Sequence, residues 1–212
     1  MFKFKGAIFD LDGTLIDSMN LWQEVDVEFF EKHNIFMPDD YTKTIAPMGV
    51  YGAAKYSKEA FGLDISIEQI IEEWRMMAKR KYLDISLKDG AKDYLFHLKN
   101  KGVKLAIATA SEEELFAPLL KKHGIYHLFD NITTLSEVKR GKGFPDIYEK
   151  AAEKMKVNSE DCIVFEDILL GIKGAKDGGF KAVCMRDFTS DKDRHAILRL
   201  CDKYIESFKE MI

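Results

Sequence analysis

Hydrophobic residues along this chain fall into short uninterrupted runs, separated by stretches with helical spacing. Five runs are rich in β-branched residues and phenylalanine: Phe4–Leu11, Val103–Thr109, Phe129–Leu135, Cys162–Phe165 and Ala182–Met185. Because these runs have no alternating polar face, they predict strands that are covered on both sides, as in a parallel sheet. Helical patterns fill the intervals at 90–101, 111–123, 145–156 and 171–178. The pattern therefore predicts an α/β fold with a doubly wound, Rossmann-like parallel sheet.

One segment, from about Ile16 to Leu87, interrupts this alternation and has a helical pattern throughout. Apolar residues recur at helical spacing in 21–30 and again in 67–77, where Ser66 and Gln69 form a capping-box pattern. Trp22 and Trp74 fit these apolar faces, and we expect both in the core of the segment. We interpret residues 16–86 as a small all-helical cap domain inserted into an α/β core of residues 1–15 and 87–212.

Composition narrows the class of protein without naming a function. The 212 residues carry 36 acidic and 32 basic side chains, a net charge of −4, which argues against nucleic acid or anionic lipid as a partner. No apolar run approaches the roughly 18 residues of a membrane span, and no signal peptide is evident. Three cysteines without a CxxC pair favour a reduced compartment. We expect a cytoplasmic monomer.

Charged and hydroxyl-bearing residues follow the predicted strands, at the edge where open α/β sheets bind ligands. They are Asp10, Asp12, Thr109, Ser111, Lys142, Glu166 and Asp167. Asp10 and Asp12 lie two apart on an extended chain, so their side chains point the same way, and Gly13 lets the chain turn. Crowded carboxylates need a counter-charge, and an oxygen-rich cluster suits Mg²⁺. These residues therefore predict a site at which a metal ion assists chemistry on a phosphoryl group.

Each of these residues also has an ordinary structural explanation. An aspartate at a strand end commonly caps a turn or a helix, and Ser111 with Glu114 fits a capping box. Asp17 and Ser18 are expected to cap the first cap helix. An isolated lysine is usually a solvated surface charge. The functional interpretation depends on the coincidence of all these residues at successive strand ends.

The motifs resemble those of the haloacid dehalogenase superfamily of phosphotransferases, in the phosphatase and β-phosphoglucomutase-like branch with a helical cap after the first motif. Phe9–Leu15 (FDLDGTL) resembles the first motif and Thr109 the second. Lys142, within Gly141–Tyr148, resembles the third, and Val164–Ile172 the fourth. Two positions depart from the family pattern. Gly143 replaces a common proline and loosens the chain beside Lys142, and Gly174 replaces a common alanine, which indicates close helix packing.

The resemblance implies a role for each matched residue. Asp10 would attack phosphorus and form an aspartyl-phosphate, and Asp12 would act as general acid and then base. The transferring phosphoryl oxygens would be held by Thr109 and Lys142, with help from Ser111. Mg²⁺ would be bound by Asp10, the backbone carbonyl of Asp12, and Asp167, with Glu166 as a ligand or beside the ligands.

The implied substrate is a small phosphomonoester, such as a sugar phosphate, phosphoglycolate or a nucleotide-like compound. The loop Ala46–Gly52 is our candidate for substrate recognition, through Met48, Tyr51 and, beyond the loop, Tyr56. The alternative explanation for the tyrosines is packing against the helices of the cap. Relatives acting on hexose phosphates often carry an arginine in this region, and none stands between Pro47 and Ser57.

The implied activity is that of a Mg²⁺-dependent phosphatase. Asp12 weighs against a dehalogenase, because hydrolysis of a carbon–chlorine bond needs no acid there. One alternative is a β-phosphoglucomutase-like isomerase, which returns the phosphoryl group to another hydroxyl. A more remote one is a phospho-aspartate switch module of the receiver type. Such modules lack a helical cap and carry the phosphorylated aspartate on the third strand.

Overall fold

The computed structural model describes residues 3–45 and 48–212. Six strands within these residues form one parallel sheet in the order β3-β2-β1-β4-β5-β6. They are β1 Gly6–Phe9, β2 Lys104–Thr109, β3 Asn131–Thr134, β4 Cys162–Glu166, β5 Lys181–Met185 and β6 Lys203–Ile205. The doubly wound parallel sheet is confirmed. Its winding reverses between β1 and β4, the point where open sheets of this order bind ligands.

The sixth strand was not predicted. It contains only three residues, begins with a lysine and pairs in parallel with the edge of β5, where Val183 lies opposite Lys203. A strand this short carries no hydrophobic run that would distinguish it from a loop. Its place in the sheet depends on β5, which provides the edge.

The helices are α1 Leu21–Lys32, α2 Tyr41–Ile45, α3 Gly49–Phe61, α4 Ile67–Tyr82, α5 Ala91–Asn100, α6 Glu113–Lys122, α7 Asp146–Met155, α8 Leu169–Asp177 and α9 Arg194–Leu200. The last five alternate with strands and cover the sheet. Neighbouring residues of β1 point to opposite faces. Ile8 packs with residues of α7 and α8, whereas Phe9 stacks on Phe165 with 4.6 Å between the ring centroids.

The chain divides into two compact units. The core unit comprises the chain up to Ser18 together with Ile85–Ile212, and the helical unit is Met19–Asp84. The insert predicted from the sequence, residues 16–86, begins three residues before this helical unit and ends two residues after it. The difference arises because the two linking segments pair with each other within the core unit, through an antiparallel bridge between Ile16 and Leu87.

A buried ion pair fixes these linking segments within the core unit. Lys88 Nζ donates to Asp17 Oδ1 over 3.0 Å and to Asp187 Oδ2 over 2.8 Å. Asp187 is buried, and its Oδ1 also accepts the N–H and the hydroxyl of Thr189. The expectation that Asp17 caps α1 is therefore wrong, because its carboxylate faces Lys88.

The helical unit has a hydrophobic core of its own. Residues of α1, α3 and α4 fill it, among them Phe29, Phe30, Ala54, Ile70 and Met77. The capping box at the start of α4 is confirmed by the reciprocal hydrogen bonds between Ser66 and Gln69. Trp74 is buried as expected. The same expectation for Trp22 is wrong, because its side chain is 55% exposed.

Across the described residues, we find no helix that combines the length and the apolar character needed to span a membrane.

Candidate active site

Asp10 is placed by the sheet itself. Its backbone N–H donates to the carbonyl of Phe165 over 2.9 Å, which extends the pairing of β1 with β4 by one residue. Glu166 and Asp167 come directly after Phe165, so three carboxylates meet where these two strands end. Oxygen atoms of Asp10, Glu166 and Asp167 all lie within 4.8 Å of one another, and all three residues are buried.

Lys142 is the cation of this cluster. Its Nζ donates to Asp10 Oδ1 and, over 2.6 Å, to Glu166 Oε1. The lysine comes from the loop before α7, and the backbone of that loop lies against α8 at Gly174. A Cβ at Gly174 would lie 2.2 Å from the carbonyl oxygen of Lys142, so the close helix packing expected there is confirmed. The lysine that the sequence singled out is half-buried in the site instead of lying in solvent.

Thr14 connects two of the carboxylates. Its buried hydroxyl lies 3.1 Å from Asp10 Oδ2 and 3.2 Å from Asp167 Oδ1, and its single proton serves one of them at a time. The turn that returns Thr14 to the site passes through Gly13 at φ 84°, a left-handed conformation that favours glycine.

Asp12 is held by two hydroxyl groups. Ser18 Oγ donates to its Oδ1 over 2.7 Å, and Ser111 Oγ donates to its Oδ2 over 2.6 Å. Ser18 had been expected to cap a helix, and for Ser111 a helix cap was the alternative to phosphate binding. Instead, α1 begins after Asn20 and α6 after Glu112, and within the described chain neither helix has a side-chain cap. The hydroxyls that could have capped these helices orient a carboxylate instead.

Thr109 ends β2 and is fully buried. Its Oγ1 accepts the backbone N–H of Ser111 over 3.0 Å, and this bond shapes the turn after the strand. The same turn brings the hydroxyl of Ser111 to Asp12. The structure thus brings all seven predicted core-unit residues together at the carboxyl ends of β1, β2 and β4.

Burial makes ionisation of this cluster costly. It raises the pKa of Asp10 to about 7, against the opposing effect of Lys142. Burial, reinforced by the charges of Asp10 and Glu166, raises the pKa of Asp167 to about 9. Burial alone would lower the pKa of Lys142. The two neighbouring carboxylates, Asp10 and Glu166, outweigh this effect and raise its pKa. The site has more carboxylate groups than one lysine can neutralise.

The donors present fit a hard divalent cation. Asp167 Oδ2 is buried and has no hydrogen-bond partner among the described residues, although carboxylate oxygens in such positions are normally paired. It lies within a cluster of oxygen donors, the ligand type that Mg²⁺ prefers. A cation there would satisfy the unpaired oxygen and offset the excess negative charge.

The predicted recognition residues all belong to the helical unit. Met48 and Tyr51 are exposed, whereas Tyr56 is partly buried, packs against the core of that unit and contacts the Phe61 ring with 6.3 Å between centroids. Two residues of the predicted loop, Ala46 and Pro47, lie outside the described residues. Recognition of substrate by these side chains stays a prediction.

Two hydroxyl groups of the site were not singled out from the sequence. One belongs to Thr14 and the other to Tyr148, whose hydroxyl donates to Glu166 Oε1 over 2.9 Å. Both residues lie within motifs quoted above, the first and the third. Motif membership was the only available signal, because spacing along the chain does not show which atom a hydroxyl reaches.

Comparison with known proteins agrees with this geometry. The model of the haloacid dehalogenase-like hydrolase family matches residues 7–185. The phosphorylated carbohydrates phosphatase of Thermotoga maritima is 27% identical over 180 residues, which cover 84% of this chain and 83% of that protein. The fructose-1-phosphate phosphatase YqaB of Escherichia coli K12 is 28% identical over 194 residues, 87% and 97% of the two chains. The chain belongs to the haloacid dehalogenase-like hydrolase family and is an enzyme.

A solved structure shows the same fold over nearly the whole chain. The β-phosphoglucomutase of Clostridium difficile superposes on this chain with a TM-score of 0.71. The matched region covers 99% of this chain and 93% of that protein. The two sequences are 19% identical. At that identity the likeness concerns the fold and not the substrate.

Proposed function

We propose that this enzyme is a Mg²⁺-dependent phosphatase that hydrolyses a small-molecule phosphomonoester through an aspartyl-phosphate on Asp10. The observation that carries the proposal is the position of Lys142, which is shared between Asp10 and Glu166 beside the unpaired oxygen of Asp167. The proposed nucleophile, a cation and a carboxylate oxygen without a hydrogen-bond partner among the described residues are thus adjacent. The phosphatases among the relatives support the same class of reaction.

Asp10 acts as the nucleophile. One of its carboxylate oxygens attacks phosphorus, the bond from phosphorus to the substrate oxygen breaks, and its electron pair goes to the departing oxygen. Lys142 lowers the cost of holding Asp10 ionised in a buried site and stabilises the charge on the transferring phosphoryl oxygens. We assign Thr109 and Lys142 to hold the phosphoryl group, with help from Ser111.

Asp12 moves the proton. In its acid form it protonates the departing oxygen, and in the second step it takes a proton from the water that attacks the aspartyl-phosphate. The bond between phosphorus and Asp10 then breaks and releases inorganic phosphate. The hydroxyls of Ser18 and Ser111 fix the orientation of the Asp12 carboxyl for both transfers.

The residues that would hold Mg²⁺ are Asp10, Asp167 and the backbone carbonyl of Asp12, with Glu166 beside them. Bound there, the ion would neutralise the carboxylates and the phosphoryl oxygens so that the two negatively charged groups can meet. We assign the helical unit the role of a cap that selects the alcohol part of the substrate, with Met48, Tyr51 and Tyr56 as candidates for contact.

The position of Asp10 separates this proposal from a receiver-type switch module. Asp10 follows β1, whereas such modules carry the phosphorylated aspartate on the third strand. The role proposed for Asp12, activation of water, also argues against a lasting phospho-aspartate. A phosphomutase shares the first half of the mechanism but returns the phosphoryl group to the substrate. Net release of inorganic phosphate therefore distinguishes the two activities.

The test is phosphate release from p-nitrophenyl phosphate with Mg²⁺ or with a chelator, for wild type and Asp10→Asn. We expect turnover that needs Mg²⁺ and falls by at least about 1,000-fold in the variant, as for loss of a covalent nucleophile. Asp177→Asn, an exchange of an exposed helix aspartate, is the matched control and keeps wild-type turnover. Turnover that persists in Asp10→Asn would refute the assignment of the nucleophile.

A further inference from the structure

Glu166 differs from its neighbour Asp167 in how completely its oxygens are bonded. Its Oε1 accepts from Lys142 Nζ over 2.6 Å and from the Tyr148 hydroxyl over 2.9 Å. Its Oε2 accepts the backbone N–H groups of Asp167 over 3.1 Å and Ile168 over 3.3 Å. Four donors therefore surround this carboxylate, whereas Asp167 Oδ2 has none in the part of the chain that the structure describes.

The position of the Glu166 carboxylate is also fixed by packing. A Cβ on Gly171, in the first turn of α8, would lie 2.2 Å from Glu166 Cδ and 2.5 Å from each of its oxygens. The carboxylate thus lies directly on the helix backbone, where an alanine would displace it. Tyr148 comes from α7 and is fully buried, with its ring against Phe180.

We infer that Tyr148 is a positioning residue that acts on Lys142 through Glu166. Its hydroxyl takes up part of the hydrogen-bonding capacity of Glu166 Oε1, the oxygen that also binds the lysine. Without that hydroxyl, Oε1 would attract Lys142 more strongly and draw the ammonium group away from Asp10. Glu166, enclosed by its donors, then serves as the anchor of the lysine and leaves the metal to Asp10 and Asp167.

This inference rests on the proposed function, since it assigns Lys142 a part in phosphoryl transfer. The chain offers a matched control in Tyr94, a second buried tyrosine of the core unit. Tyr94 packs against aromatic rings, and its hydroxyl has no hydrogen bond within residues 3–45 and 48–212. Each Tyr→Phe exchange removes one hydroxyl from a buried tyrosine, but only one of the two hydroxyls touches the site.

The first experiment compares kcat and KM of Tyr148→Phe and Tyr94→Phe with p-nitrophenyl phosphate, per folded molecule. We expect Tyr148→Phe to lower kcat about tenfold, as for loss of a hydrogen bond behind a catalytic group, with little change in KM. Tyr94→Phe should match wild type. Equal kcat values for the two variants would overturn the inference, because a general loss of packing would affect both.

The second experiment measures Mn²⁺ affinity by electron paramagnetic resonance, without substrate. We expect Tyr148→Phe to keep wild-type affinity, Asp167→Asn to lose at least about tenfold, and Glu166→Gln, which removes a neighbouring charge but no ligand, to lose clearly less than Asp167→Asn. Loss of Mn²⁺ binding in Glu166→Gln to the extent seen in Asp167→Asn would overturn the assignment of Glu166 to the lysine. If wild type binds Mn²⁺ but hydrolyses no ester, the proposed function fails, while this comparison still decides the role of Glu166.

Discussion

The hydroxyl of Thr14 lies 3.2 Å from Oδ1 of Asp167, a residue 153 positions further along the chain. The same hydroxyl lies 3.1 Å from Asp10, so one side chain from the turn after β1 reaches carboxylates at the ends of two strands. Asp167 Oδ2 is left without a partner among the residues described. Thr14 therefore contacts the first oxygen of Asp167, and the second oxygen is the one that we propose as a metal ligand.

From this relationship we predict that Thr14→Val weakens metal binding. Valine keeps the shape of threonine but removes the hydroxyl, so Asp10 and Asp167 lose the group that holds them in one orientation. We expect about a tenfold loss of Mn²⁺ affinity and a similar rise in the Mg²⁺ concentration needed for half-maximal turnover. Titration of both ions measures the effect.

The control is Thr133→Val on β3. Thr133 is also fully buried, but its hydroxyl has no hydrogen-bond partner in the described part of the chain. Its replacement should leave metal binding unchanged and cost no stability, because no bond is lost. An equal loss of Mn²⁺ affinity in both variants would mean that the Thr14 result reflects packing alone.

Gly174 gives a second prediction, since it lets the backbone around Lys142 approach α8. A Cβ there would lie 2.2 Å from the carbonyl oxygen of Lys142 and 2.8 Å from that of Phe144. Both are backbone atoms, which cannot rotate away as the end of a side chain can. Gly174→Ala should displace the loop and lower kcat/KM by about 10- to 100-fold, as displacements of about 1 Å do. Gly141→Ala, where a Cβ meets nothing within 4 Å, is the control and should retain activity. Wild-type kcat/KM in Gly174→Ala would show that the position of Lys142 does not depend on this packing.

A third prediction concerns stability of the helical unit as a function of pH. Asp26 on α1 is buried and accepts the hydroxyl of Thr42 over 2.7 Å. Burial raises its pKa from 3.8 to about 6. Between these two values the folded protein binds more protons than the unfolded chain, so the free energy of unfolding falls as the pH rises from about 4 to about 6.

Asp26→Asn removes the free-energy cost of ionising a buried carboxyl group. Above pH 6 the variant should be more stable than wild type, by at most about 3 kcal/mol, and the difference should shrink towards pH 4. Both tryptophans of the chain, Trp22 and Trp74, lie in the helical unit, so denaturation followed by tryptophan fluorescence reports on that unit. Asp39→Asn, an exchange of an exposed aspartate, controls for the change in net charge. A stability difference that does not vary with pH would contradict the prediction.

Much of the fold could be predicted from the sequence because its signals are local. Each of the five long strands has a hydrophobic run, and the capping box of α4 depends on residues three apart. β6 could not be found, because its three residues pair only with an edge that β5 supplies. Trp22 lies on the apolar face of α1 by the helical period but stands in the first turn of the helix, where the spacing alone does not decide burial.

The candidate site could be predicted only as a set of residues. Strand ends and motifs identified the carboxylates and Lys142, because parallel strands bring their carboxyl ends to one edge. Which hydroxyl reaches which carboxylate depends on how the turns after the strands fold. Ser18 and Ser111 fit local capping patterns, and in both cases a contact with Asp12 replaced the cap.

The most direct test of the central claim is detection of the phosphoryl group on Asp10. The Asp12→Asn variant would be mixed with p-nitrophenyl phosphate and Mg²⁺, quenched in acid and digested for mass spectrometry. p-Nitrophenolate departs without an acid, so the first step proceeds, while release by water slows because its general base is missing. We predict one added phosphoryl group, located at Asp10 in the peptides that pepsin releases in acid, where an acyl phosphate survives. Hydrolysis without any trapped group, or a phosphoryl group on another residue, would contradict it.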